Sequence, residues 1–73
     1  MKRYAAVFEK AEHNWAAYVP DLPGCVTTGA TLDETKRNVR EAIALHLEAM
    51  ELVGEPVPEP TTDVELVDVE IVA

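Results

Sequence analysis

The side chains here that could do chemistry are few, and none stands at a spacing that chemistry usually demands. His13, Cys25, His46 and a large set of carboxylates are the possible ligands and nucleophiles, and there is no serine. A serine-based triad is excluded, and Cys25 would need a neighbouring base or cation to become a thiolate. No CxxC, HxxxH or calcium-loop pattern gathers metal ligands. Cys25 opens a short apolar stretch, where a free cysteine packs as a small hydrophobe. His46 falls in the middle of an apolar helical stripe and reads as packed, whereas His13 sits in a polar loop and reads as solvated. Clustered Asp and Glu can hold two metal ions for phosphodiester cleavage, but the middle of the first strand, "YAAVF", carries no acid. Asp68 and Glu70 fall on the polar side of an alternating stretch, and Asp21, between two prolines, suits a turn. Phosphate-cradling glycine loops are absent, and Lys36, Arg37 and Arg40 read as surface partners of Asp33 and Glu41. These residues assign no catalytic group, no metal and no cofactor.

The elements that must position these residues follow from periodicity. Residues 2–10 read as a strand apolar on both faces, Tyr4, Ala6 and Phe8 on one and Ala5 and Val7 on the other, as in a strand covered on both sides. Residues 11–14, "AEHN", make a hairpin loop, and residues 15–19 a second strand ended by Pro20. "PDLPG" turns the chain, two prolines fixing φ and Gly24 supplying a conformation that side chains resist. Residues 25–28 form a third strand, closed by Gly29. "TLDE", from Thr31 to Glu34, is a capping box that opens a helix over residues 32–53, ended by Gly54. Its apolar face is Leu32, Val39, Ala42, Ile43, Leu47, Met50 and Val53, with Leu45 and Leu52 forming a narrower strip beside it. The proline-rich "GEPVPEPTT" connects to "DVELVDVEIVA", whose alternation predicts a fourth strand with Val67, Val69 and Ile71 inward and Asp68 and Glu70 outward. The order β-β-β-α-β describes an α+β fold, one helix on a small antiparallel sheet.

Size and charge bound the function. A chain of 73 residues is one domain, and one this small buries only ~60% of its unfolded surface, which favours self-association. Residues 1–40 hold six basic and five acidic side chains, net +1, whereas residues 41–73 hold nine acidic and no Lys or Arg, net −9. Such a surface disfavours direct nucleic-acid binding and steers toward a basic partner. One cysteine cannot close an internal disulfide, "MKRYAAVFEK" is no signal peptide, and no stretch approaches the ~20 apolar residues of a membrane span. The expected location is cytoplasmic.

Residues 4–60 resemble the HicB family of antitoxins. The marks are Pro20, Asp21, Pro23, Gly24 and Cys25 in "PDLPGC", then Gly29 and Thr31 opening the helix, then "EAIALHLEAM" and the proline-rich segment after Gly54. Asn14 stands where the family often has glycine, a change that positive φ tolerates. The resemblance implies a partial ribonuclease-H-like fold of the same β-β-β-α-β order, without catalysis. It implies a partner too: a HicA-like toxin, small and basic, that cleaves messenger RNA and is blocked on binding. The expected arrangement is a single HicB-like domain over residues 1–73, without the C-terminal DNA-binding domain that full HicB proteins carry. Glu48, Glu51, Glu65, Asp68 and Glu70 are the expected toxin contacts. A homo-oligomer is also expected, with Leu45 and Leu52 or the strand edges as its interface. Two other functions compete with the antitoxin: an oligomeric module that has lost its toxin, and a residual metal-dependent nuclease.

Overall fold

The computed structural model describes residues 1–72. Three short strands, β1 (Val7–Lys10), β2 (Trp15–Tyr18) and β3 (Val26–Gly29), form one antiparallel sheet in the order β1-β2-β3, and a single helix α1 (Leu32–Leu52) follows. The hairpin register pairs Phe8 with Ala17 and Lys10 with Trp15, and the next pair sets Ala17 opposite Thr27. This is the α+β arrangement of helix on antiparallel sheet that the pattern predicts.

The turn between β2 and β3 explains why "PDLPG" has the residues it has. Leu22 N–H donates to the Val19 carbonyl at 3.0 Å, and Cys25 N–H donates to the Leu22 carbonyl at 3.0 Å. Two tight turns are thus fused, each with proline in its first central position. Gly24 has φ of +85° in the second, the type II geometry that glycine satisfies without strain. Leu22, at the shared corner, is 0% exposed and enters the core with Ala17, Val19, Cys25 and Val39. Tyr4, Ala6, Phe8, Ala42, Ile43, Leu47 and Met50 pack around them, half-buried.

The helix begins and ends where its caps dictate. Thr31 Oγ1 accepts the Glu34 N–H at 3.1 Å, and Thr35, fully buried, donates its hydroxyl to the Thr31 carbonyl at 2.7 Å. Gly29 lies directly under this turn. A Cβ at Gly29 would sit 2.8 Å from the Thr35 backbone nitrogen, so close approach, rather than an unusual φ, is what requires glycine here. At the other end Gly54, φ +73°, donates to the Glu51 carbonyl, and Glu55 N–H reaches the Met50 carbonyl at 2.9 Å. That pair of bonds is the Schellman ending.

Several expectations are corrected. β1 covers only Val7–Lys10, because β2 stops at Tyr18 opposite Val7 and leaves residues 2–6 without a ladder partner. β1 is an edge strand with one face toward the helix, not a strand covered on both sides. Val53 is exposed rather than part of the buried face. Among the described residues, Lys36, Arg37 and Arg40 form no ion pair with Asp33 or Glu41. The fourth strand is not formed: residues 63–72 have no strand partner and are exposed throughout, and Ala73 lies outside the described residues. Alternation states how a segment would behave on a sheet edge; the edge itself must come from elsewhere.

Candidate protein-binding surface

The residues able to do chemistry stand apart. Cys25 is buried in the core, and burial raises its thiol pKa, which keeps it protonated and unreactive. His13 is an exposed residue of the β1–β2 loop near Glu12. His46 is half-buried on α1 and lines a shallow recess with Pro23, Ala49, Met50, Val53, Glu55 and Pro58. It is thus packed on one side only. Among the described residues, no three His, Cys, Asp or Glu side chains converge as metal ligands. No described helix is long and apolar enough to cross a membrane.

Asp21 has the most specific environment of any ionised group. It does not cap its own turn. Its Oδ2 accepts the backbone N–H groups of Thr61 and Thr62, each at 2.9 Å, and its Oδ1 accepts their hydroxyls at 3.1 and 2.7 Å. The Thr62 bonds, backbone first and hydroxyl second, and then the Thr61 backbone bond hold the carboxyl pKa at about 2, below its ordinary 3.8. Two further ties flank this clamp. Tyr4 Oη donates to the Pro58 carbonyl at 2.6 Å, and Lys2 pairs with Glu59. Together they fasten residues 58–62 across the start of β1. No pattern in the sequence announces a contact that spans 40 positions. The adjacent threonines after three spaced prolines are the nearest thing to a signal.

Beyond that anchor the chain is bare. Val64, Leu66, Val67, Val69, Ile71 and Val72 are 64–100% exposed. Glu65, Asp68 and Glu70 alternate among them, all exposed. Glu48 and Glu51 are exposed on the last turns of α1, three residues apart and so on one side of the helix. None of these five carboxylates forms an ion pair among the described residues. Leu45 and Leu52 are also exposed, at 63% and 81%. The surface is therefore acidic and apolar at once, and among the described residues no His, Cys, Asp and Glu side chains gather as metal ligands. That suits a surface that binds another macromolecule.

Known proteins supply the comparison. A family described as the HicB-like antitoxin of bacterial toxin–antitoxin systems matches residues 4–70. An uncharacterised 14.9 kDa protein from the rep-hol intergenic region of Haemophilus phage HP1 is 43% identical over 47 residues, 64% of this chain but 35% of the phage protein. A UPF0150 protein of Helicobacter pylori is 48% identical over 46 residues, 63% of this chain and 64% of that protein. The match thus spans about a third of the first relative's length and just under two thirds of the second's. A UPF0150 protein of Thermoplasma acidophilum is 35% identical over 57 residues, covering 77% of this chain and 83% of that one. Among solved structures, a chain of the HicA3 and HicB3 toxin–antitoxin complex superposes with a TM-score of 0.72 at 35% identity, over 82% of this chain and 70% of that one.

Proposed function

Because the chain belongs to the HicB-like antitoxin family of bacterial toxin–antitoxin systems, we propose that it binds and blocks a small, basic, messenger-RNA-cleaving toxin of the HicA kind. It acts by binding, in the cytoplasm, without catalysis or cofactor of its own. The observation that carries the reading is the charge of residues 41–73: nine acidic side chains and no Lys or Arg. Such a surface attracts a basic partner and repels phosphate, so residues 1–73 are assigned no direct nucleic-acid contact. Blocking is the work of one HicB-like domain. Its contacts are Glu48 and Glu51 at the end of α1 and Glu65, Asp68 and Glu70 on the tail, which are exposed and unpaired among the described residues.

A titration against a catalytically inactive HicA-like toxin, at low and high salt, tests this. Tight binding that weakens as salt rises is the expected result. Asp68→Lys with Glu70→Lys should weaken it further at low salt. Absence of binding at both salts would overturn the antitoxin reading, and binding unchanged by the charge reversal would move the contact off the tail. A second reading, an oligomeric module without a toxin, is supported by the exposed Leu45 and Leu52. A monodisperse monomer at high concentration would remove it.

A further inference from the structure

The helix α1 carries apolar side chains on two sides, and the core takes up only one of them. The second side is Leu45, Ala49 and Leu52, spaced by four and three residues and so stacked together. Leu45 is 63% exposed, Leu52 is 81% exposed, and Ala49 is exposed as well. The stripe does not end at the flank of the helix. Ala49 and Val53 also line an open recess of about 490 Å³, together with Pro23 of the β2–β3 turn and Pro58 of the anchored segment. Stripe and recess therefore form one continuous apolar surface.

Carboxylates run along one side of it. Glu41 and Glu48 precede Leu45 and Leu52 by four residues each, so each lies one turn from a leucine. Both are exposed, and neither forms an ion pair among the described residues. Glu55 stands at the recess, also without an ion pair. The result is two parallel columns, one of leucine and one of glutamate, each repeating after seven residues, about 10.5 Å along the helix. That repeat selects the shape of what lies against it. On a strand, side chains of one face recur at about 6.6 and 13.2 Å, out of step with both columns. On a second helix they recur at about 10.5 Å, in step with both. Charge selects the chemistry. Residues 41–73 hold no Lys or Arg, so the same stretch of a second copy would set carboxylates against carboxylates.

We propose that this side of α1 receives a basic amphipathic helix of the partner protein. The apolar side chains of that helix pack on Leu45, Ala49 and Leu52, and one of them enters the recess beside Pro23 and Pro58. Lys or Arg residues seven apart on its flank meet Glu41 and Glu48. The leucines hold the helix, and the glutamates fix its register. The helix belongs to the toxin, an assignment that rests on the antitoxin reading.

Titration of the full chain against a catalytically inactive HicA-like toxin, at low and high salt, is the test. Leu45→Asp with Leu52→Asp should weaken binding ~100-fold or more, because carboxylates would face an apolar stripe. The sign is diagnostic: two added acids strengthen long-range attraction to a basic toxin, so a loss comes from the apolar contact. Ala44→Asp adds an acid at an exposed position next in sequence but turned away from the stripe, and should not weaken binding. Glu41→Lys with Glu48→Lys should weaken it ~10-fold at low salt and little at high salt. Every substituted side chain is already exposed, and circular dichroism checks that each variant is folded. A photo-reactive label on Leu45→Cys should cross-link to a toxin helix that carries Lys or Arg beside its apolar stripe. Tight binding indifferent to the leucine variant overturns the proposal and leaves the antitoxin reading standing. Equal losses from Ala44→Asp and the leucine variant, or cross-links that fall on a strand or loop of the toxin, also overturn it. A self-association of the free chain that the leucine variant abolishes gives the face to a second copy, and overturns it too. No binding by the unaltered chain at either salt overturns the antitoxin reading, and the assignment of the helix with it.

Discussion

Residues 1–54 and residues 55–72 are built on opposite principles. In the first region nearly every distinctive residue is fixed by a neighbour close in sequence: Gly24 by its turn, Thr31 and Thr35 by the first helical turn, Gly54 by the Schellman ending. Leu22 is 0% exposed there. In the second region, beyond the Glu55 bond that closes the helix, the hydrogen bonds among the described residues fall where residues 58–62 meet Lys2, Tyr4 and Asp21, and Leu66 is 100% exposed. Apolar content does not separate the two. What separates them is whether the apolar side chains have something in the same chain to lie against. A segment as apolar as residues 64–72 that stays exposed has the character of an interaction surface.

Truncating one leucine in each region gives the largest contrast. Leu22→Ala removes a side chain buried at the corner of two turns, and should cost about 2–5 kcal/mol in chemical denaturation. For a domain this small that is a large share of its stability. Leu66→Ala in the monomeric state should change stability by less than about 0.5 kcal/mol. Equal effects would mean that the tail is packed in solution and that the contrast is false.

The next effects fall on the β3–α1 junction and sharpen the picture of the first region. Gly29→Ala would press a methyl group on the Thr35 backbone and should destabilise by about 1–3 kcal/mol. Thr31→Ala removes one cap bond and should cost about 1 kcal/mol. The order of these two is itself the test. If Thr31→Ala were the more damaging, capping rather than close packing would govern the junction.

The two regions were unequally legible in the sequence. "TLDE" and Gly54 mark the helix within a residue of Leu32–Leu52, and the prolines and Gly24 mark the turn, because caps and turns are local chemistry. Leu22 gave no sign of its importance, since a leucine inside a turn motif has no periodic neighbour to betray a buried face. The fourth strand was misread for the converse reason. Val67, Val69 and Ile71 alternate as a strand should, but pairing depends on an edge that no local pattern supplies. The Asp21 clamp was invisible too. Its partners lie 40 and 41 positions away, and an aspartate between prolines reads equally well as a turn residue. The exposed carboxylates of the candidate surface were legible as an acidic bias. Which of them gather at one place was not, because that depends on the path of the chain after residue 62.

The smallest effect divides the regions by pH. Asp21 is held at about 2, chiefly by the backbone and hydroxyl of Thr62 and the backbone of Thr61, whereas an ordinary aspartate titrates at 3.8. A carboxyl whose folded pKa is depressed contributes its stabilisation fully above the unfolded value, and loses it as pH falls through the folded one. The clamp should therefore be intact at pH 5, weaken between about 4 and 2, and be released below that. The amide resonances of Thr61 and Thr62 should follow a titration with a midpoint near 2, while Trp15 fluorescence, a reporter of the sheet, stays constant over the upper part of that range. Asp21→Asn should abolish the titration and leave both amides at released positions from the start, with the helix and sheet intact. If those amides instead titrate near 3.8, the four bonds do not hold in solution. The segment after Gly54 would then be held only by the Tyr4–Pro58 and Lys2–Glu59 ties, and the chain beyond Pro60 would have no fixed point of departure.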